Sequence, residues 1–330
     1  MARLPASVAA ARSAVRRALA DVPENACVLV ACSGGADSLA LASAARHVAP
    51  RLGLRVGVVT VDHGLQPESD TRAEEVAAWA ARAGLAPSLA VPVTVDGRPG
   101  GPEAAAREAR YEVLAATARS VSAAAVLLGH TRDDQAETVL LALARGAGPR
   151  GISGMPARRE VGGAVFLRPF LDVSREQTRE VCTELGLTPW EDPHNSDPSF
   201  ARSRVRAALA LLADLLGPDV VDNLARTARL IAQDAVALDD LAASAAWPLT
   251  DLDGGLHVPA LRELPAALRT RVLRGFALRL GVAGGALSSR HIDALDALLT
   301  DWRGQGPVAL PGGHRVTREG NRLVTVSGPA

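Results

Sequence analysis

The six residues Ser33-Gly34-Gly35-Ala36-Asp37-Ser38 join an apolar run, CVLVAC at 27–32, to a segment whose apolar positions recur at helical spacing. Consecutive backbone N–H groups at such a turn, opening a helix whose dipole favours negative charge, form a cradle for phosphate. Gly34 and Gly35 let the backbone fold tightly around an anion, and Ser33 and Ser38 can add hydroxyl donors. The plainer alternative is a Ser-Gly-Gly turn with Asp37 capping the helix. Two other clusters bear on the choice. VDHGL at 61–65 puts Asp62 and His63 just after an apolar run, where turn residues are also common. GHTRDDQAET at 129–138 places His130 before three acids, Asp133, Asp134 and Glu137. Acids in a first helical turn are partly explained by the dipole. Yet Asp133 and Asp134 stand four and three residues before Glu137, so on a helix they share one face. With Asp37, that acidic surface can hold a magnesium ion, a substrate ammonium, or both.

Composition removes several chemistries. The chain has no lysine, so all 36 basic residues are arginine. A Walker A loop, which needs lysine at the terminal phosphates, and Schiff-base catalysis are both excluded. Formal net charge is zero, so any nucleic-acid contact must come from local arginine clusters rather than a global field. Cys27, Cys32 and Cys182 form neither a CxxC pair nor a zinc spacing and read as buried thiols of a reducing compartment. With no apolar stretch long enough to span a bilayer and no leader-like apolar core, the expected location is cytoplasmic, with no membrane partner.

These residues need elements to position them. Apolar runs at 28–32, 56–61, 88–93, 125–129 and 166–167 read as strands, the last the weakest. Between them, 37–49, 69–83, 101–121, 133–145 and 174–186 carry helical periodicity. The alternation predicts an α/β fold, a doubly wound and mostly parallel sheet whose ligands gather beyond the carboxyl ends of its strands. RGAGPRGISGM at 145–155 reads as a flexible loop. A polar stretch at 190–206 ends the α/β region, and 207–246 is helical in pattern. Beyond lies a smaller unit with helices near 265–280 and 290–299 and strand-like runs at 308–310, 315–316 and 323–326.

SGGADS at 33–38 resembles the PP-loop of the ATP pyrophosphatases, which split ATP between its α and β phosphates. In order, VDHGL at 61–65, EAAAREARY at 103–111, GHTRDDQAET at 129–138, RGAGPRGISGM at 145–155, RPFLDVSREQ at 168–177, DPHNSDPSFARSRVR at 192–206 and VALPGGHRVTREGNRL at 308–323 resemble the tRNA(Ile)-lysidine synthetase family in its shorter form. The ordered set covers nearly the whole chain. The resemblance implies a PP-loop catalytic domain at 1–215, a helical linker at 216–246 and a small, mainly helical, tRNA-contacting domain at 247–330. It implies ATP-dependent adenylation of the wobble cytidine of a CAU-anticodon tRNA(Ile), then attack by the ε-amine of free lysine to give lysidine, AMP and pyrophosphate. Carried over by position, Ser33, Gly34, Gly35, Ala36, Asp37 and Ser38 bind ATP phosphates, with Asp37 also near Mg²⁺ or lysine. Asp62 and His63 lie beside the nucleotide. His130, Asp134 and Glu137 line the reaction centre, and Arg107 and Arg110 reach a phosphate, a carboxylate or the activated intermediate. Ser203 departs from the asparagine that the family usually has between two arginines, which leaves that position's role open.

Two rival readings remain at this level. Another PP-loop enzyme, such as a tRNA thiolase, would want paired cysteines, which the spacing does not supply. A nucleotide-binding module without catalysis would keep the cradle and lose the acids, yet Asp37, His130, Asp134 and Glu137 are all in place. A homodimer is compatible with the sequence, but no residue pattern specifies one.

Overall fold

The computed structural model describes residues 4–62, 64, 68–93, 102–191, 199 and 201–326, with no side chain described at 102–106. His63 therefore lies outside the described residues. The chain divides into two units, 1–232 and 233–330.

The first unit is built on strands β1 (Cys27–Ala31), β2 (Arg55–Asp62), β3 (Ser88–Pro92), β4 (Ala123–Leu128), β5 (Arg158–Val161) and β6 (Ala164–Leu167). Its helices are α1 (Ala6–Ala18), α2 (Ala36–Val48), α3 (Ser69–Arg82), α4 (Pro102–Ser120), α5 (Arg132–Ala144), the single turn α6 (Pro149–Ile152), α7 (Arg175–Glu184) and α8 (Ala201–Leu216). The sheet order is β3-β2-β1-β4-β6-β5, parallel except where β5 pairs antiparallel with β6. Strand direction of winding reverses between β1 and β4, and the crevice at such a switch point is where ligands of this architecture sit.

Period-two alternation within the strands divides the core. Val28, Val30, Val58, Ala125 and Leu127 point to one face, under α1, α2, α3 and α7. Leu29, Val59, Val126, Leu128 and Phe166 point to the other, where Tyr111, Leu114, Ala115 and Ala118 of α4 cover them. Central strands buried on both faces explain why β1 reads as an unbroken apolar run rather than an alternating one.

Two readings of the sequence need correction. The run at 166–167 is the second arm of a hairpin whose first arm, β5, shows no apolar signal because all but one of its residues are exposed. The 145–155 segment is not a flexible loop throughout. It contains α6, and Met155 is buried, its N–H donating to Gln135 Oε1 at 2.6 Å while Gln135 Nε2 donates to the Met155 carbonyl at 3.0 Å. Gly154 beside it has φ +71°, and a Cβ there would stand 2.6 Å from Gln135 Oε1.

Helix α9 (Val220–Ala246) occupies the segment expected as a linker, and the division between the units falls within it. In the second unit α10 (Val258–Glu263), α11 (Ala266–Arg279) and α12 (Ser289–Thr300) accompany an antiparallel sheet of β7 (Leu256–His257), β8 (Val308–Ala309), β9 (Arg315–Glu319) and β10 (Arg322–Thr325), in the order β7-β10-β9-β8. Its core is Leu256, Leu261, Leu273, Phe276, Leu295, Leu298, Val316 and Leu323. Among the described residues, no helix is long and apolar enough to cross a membrane.

Candidate active site

The glycine turn after β1 is shaped by its own side chains. Gly34 has φ +83°, a backbone region where other residues are strained, and a Cβ there would come 3.0 Å from Val76 Cγ2. Ser38, buried, turns its hydroxyl back into the loop: it accepts from the Ser33 N–H at 3.1 Å and donates to the Gly35 carbonyl at 2.9 Å. The Trp190 N–H donates to the Gly34 carbonyl at 2.9 Å and ties the loop from outside. Ser38 is thus placed as a brace of the turn rather than as an outward hydroxyl. Gly35 is the N-cap of α2 and supplies no side-chain cap, so the first-turn N–H groups of that helix are open to an anion.

A cavity of about 630 Å³ opens at this switch point. It brings together Ser33, Gly35, Ala36, Asp37 and Ser38 from the turn, Arg110 from α4, and His130, Asp134 and Glu137 from the end of β4 and the start of α5. Gly34 shapes the loop without lining the cavity. Asp62 ends β2 and accepts from the Gly64 N–H at 2.9 Å, closing a turn rather than facing the cavity. Arg107 stands one turn before Arg110, over the Tyr111 ring, and also does not line it. Close approach of β4 to α2 depends on Gly129, where a Cβ would meet the Asp37 carbonyl carbon and oxygen at 3.2 Å.

The acids are held in different ways. Asp134 closes a capping box: Thr131 N–H donates to its Oδ2 at 2.8 Å, and Thr131 is the side-chain cap of α5. Asp133 accepts from the Arg175 N–H at 2.8 Å, so the start of α5 caps the start of α7. Arg175 then reaches back with one nitrogen to Asp134 Oδ1 at 2.9 Å and Glu137 Oε1 at 3.1 Å. Arg206 of α8 adds its Nε to the same Glu137 oxygen at 3.0 Å. Glu137 is 2% exposed, and its Oε2 is buried with no partner among the described residues. Arg175 and Arg206 were not singled out for this role by sequence reading. Their partners stand 38 and 69 positions away, and the only local signal was the RPFLDVSREQ and ARSRVR resemblance.

Among the described residues, Asp37 differs from Asp134 and Glu137 in having no arginine side chain on its oxygens. Thr178 of α7 donates to Asp37 Oδ1. Burial, helped by the nearby charges of Asp134 and Asp133, pushes its carboxyl up to about 6, against the Thr178 hydrogen bond and Arg175. For Asp134, burial also acts upward, but Arg175 and the Thr131 hydrogen bonds outweigh it and hold the carboxyl below its usual range. His130 is pushed down to about 3 by burial, with Arg110, Arg168 and Arg107 adding to the effect and Asp134 opposing it. The imidazole is therefore neutral, and its Nδ1 is buried without a partner among the described residues.

A parallel sheet whose switch point carries a lysine-free glycine turn, an uncapped helix start and a buried carboxylate defines a PP-loop nucleotide-binding protein. Residues 9–212 match the family model described as a PP-loop domain, and 256–324 match the TilS substrate binding domain. The chain belongs to the tRNA(Ile)-lysidine synthase family. It is 61% identical to the tRNA(Ile)-lysidine synthase of Salinispora tropica over 99% of this chain and 98% of that one. With the Thermobifida fusca protein of the same name it shares 54% identity over 97% of this chain and 98% of that one. Among solved structures it is similar to the U34-tRNA thiolase NcsA from Methanococcus maripaludis, with a TM-score of 0.56 at 17% identity, covering 68% of this chain and 80% of that chain. At that identity the likeness is one of fold.

Proposed function

We infer that this protein is an ATP-dependent ligase that joins lysine to the wobble cytidine of tRNA(Ile), through an adenylated base, releasing pyrophosphate and AMP. The observation that carries the chemistry is the meeting, in one cavity, of the uncapped N-terminus of α2 with Asp37, Asp134 and Glu137. The PP-loop N–H groups receive ATP phosphates, where they can stabilise the charge that develops as the α-phosphorus is attacked. Ser38 and Trp190 keep the loop in the shape this requires.

Asp37 fits a magnesium ion. Its carboxylate is costly to ionise where it stands, which a cation relieves, and among the described residues Thr178 is its one side-chain hydrogen-bond donor. An ion bound through one carboxylate and substrate phosphates is the usual manner of magnesium at a phosphate site. When bound, Mg²⁺ neutralises phosphate charge during adenylation.

The second half-reaction needs an amine brought to C2 of the base. Glu137 Oε2, buried and unpartnered, is the acceptor for the lysine ammonium, with Asp134 beside it and Arg175 and Arg206 fixing both carboxylates. Neutral His130, which releases its proton near pH 3, serves as a hydrogen-bonding partner of the reacting base rather than as the acceptor of the amine's proton. The second unit, with its substrate-binding family match, contacts the tRNA. The setting is the cytoplasm, where tRNA, ATP and free lysine occur together.

The test is pyrophosphate release and lysine incorporation by purified protein with ATP, Mg²⁺, lysine and unmodified CAU-anticodon tRNA(Ile), each omitted in turn. Both products are expected only with that tRNA, not with initiator methionine tRNA, and neither with Asp37→Ala. ATP binding with no release and no incorporation would sink the assignment.

A further inference from the structure

The segment 145–159, RGAGPRGISGMPARR, carries four arginines and no acid in a chain whose formal net charge is zero. Zero net charge leaves any contact with RNA to local clusters of this kind, and the reaction scheme above does not use this one. Arg145, Arg150 and Arg158 are exposed, as are Gly146, Gly148 and Gly151 between them. Arg159 turns to the other face of β5, over the Tyr111 ring at 5.8 Å from its centroid.

Beneath these side chains the backbone is fixed by two buried polar residues. Gln135, 6% exposed, exchanges two hydrogen bonds with the backbone of Met155. Arg168, 3% exposed, donates to the Pro156 carbonyl at 2.7 Å through its guanidinium and to the Ala157 carbonyl at 2.8 Å through its backbone N–H. Three successive residues are thus held from inside the unit. The chain leaves α5 at Arg145, about 15 Å along the helix from Gln135 at 1.5 Å per residue. Met155 brings it back to the start of that helix, where Asp134 and Glu137 line the cavity. Arg145 at the C-terminus of α5 suits the helix dipole, and Arg158 on an edge strand discourages pairing with another chain. Neither role needs a segment stripped of acids or a backbone locked from below. A cationic segment held this way loses little conformational freedom when a polyanion binds, and its glycines let the anion come close.

We propose that Arg145, Arg150 and Arg158, presented by the Gln135 and Arg168 anchors, form a docking surface for the phosphate backbone of the tRNA beside the nucleotide that enters the cavity. This contact lies in the first unit, adds to that of the second, and rests on the tRNA-modifying reading of the site. Phosphate contacts position an RNA without reading its sequence. The surface therefore supplies affinity and register and leaves the choice between tRNAs to other groups.

Filter binding of unmodified tRNA(Ile) and of initiator methionine tRNA across a salt series, without ATP or lysine, tests it in wild type and in a triple variant, Arg145→Gln, Arg150→Gln and Arg158→Gln. All three side chains are exposed, so the variant is expected to fold. Each lost phosphate contact lowers the slope of log affinity against log salt by about 0.7–0.9, so the slope of the variant falls by about 2–3. Affinity for both tRNAs drops by the same factor, on the order of tenfold or more. In steady-state assays, kcat at saturating tRNA and the KM values for ATP and lysine stay near wild type. An unchanged slope overturns the proposal. So does a loss confined to one of the two tRNAs, which would make the arginines readers of a base. A rise in KM for ATP or lysine with tRNA affinity intact overturns it as well, by assigning them to the reaction centre. Wild type that incorporates lysine while the variant keeps its slope removes the surface alone. Wild type that binds tRNA through these arginines and incorporates nothing removes the ligase reading and keeps the surface.

Discussion

Asp37→Asn should stabilise the ligand-free protein while abolishing its adenylation chemistry. In the fold, burial first, then Asp134 and Asp133, push the Asp37 carboxyl from its ordinary 3.8 up to about 6. A folded-state value above the unfolded one means that the native state binds the proton more tightly. The group's penalty is therefore absent below pH 3.8, grows as pH rises, and is complete above pH 6. A shift of roughly 2 units at 1.36 kcal/mol each gives about 3 kcal/mol of destabilisation at pH 7, about 1.5 at pH 5 and under about 1 at pH 4. Asparagine keeps an acceptor for the Thr178 hydroxyl and carries no charge to bury. Urea unfolding of wild type and variant without ATP or Mg²⁺, followed for the first unit at pH 7, 5 and 4, measures the difference directly. The variant is expected to be more stable by about 2–3 kcal/mol at pH 7, with the gap closing toward pH 4. Pyrophosphate release should be lost at every pH. A variant no more stable than wild type at pH 7, or a gap that widens as pH falls, would refute the reasoning that this carboxylate waits for a cation.

Two further substitutions probe the supports of the two units. Gly154→Ala forces a φ of +71° on a residue with a Cβ and drives it into Gln135, so the backbone strain and the two Gln135–Met155 hydrogen bonds together should cost about 2–4 kcal/mol in the first unit. Denaturation midpoints would show it, and a loss under about 0.5 kcal/mol would mean that Gln135 moves aside freely. Arg269→Met breaks a paired contact with Asp296, at 2.6 and 3.1 Å, and a 3.0 Å bond to the Leu264 carbonyl. The second unit should lose about 2 kcal/mol, and tRNA affinity should fall while ATP binding by the first unit holds, as filter binding and nucleotide titration would resolve.

Local chemistry made much of this protein readable. The PP-loop could be read from SGGADS because a glycine at positive φ, a helix start and small side chains act within six residues. The helices at α5 and α7 showed as apolar periodicity, and in the structure their starts are closed by Thr131 with Asp134 and by Ser174 with Gln177, each pair forming a capping box within one turn. Strands β1, β2 and β4 announced themselves as apolar runs because burial on both faces demands it. β5 did not, since a strand at the edge of the sheet, with its side chains mostly in water, carries no such demand.

By itself, then, the sequence determined the alternation of the central strands and helices, the phosphate cradle and the identity of the acids near it, all of which depend on neighbours along the chain. Only the tertiary structure decided what those acids are doing: that Asp37 takes its hydrogen bond from Thr178 of α7, that Glu137 is shared by Arg175 and Arg206, and that Arg168 reaches Tyr111 across 57 positions. Charges meet through space rather than along the chain. Their partners and their pKa values are fixed only when packing brings distant segments together and removes the water between them.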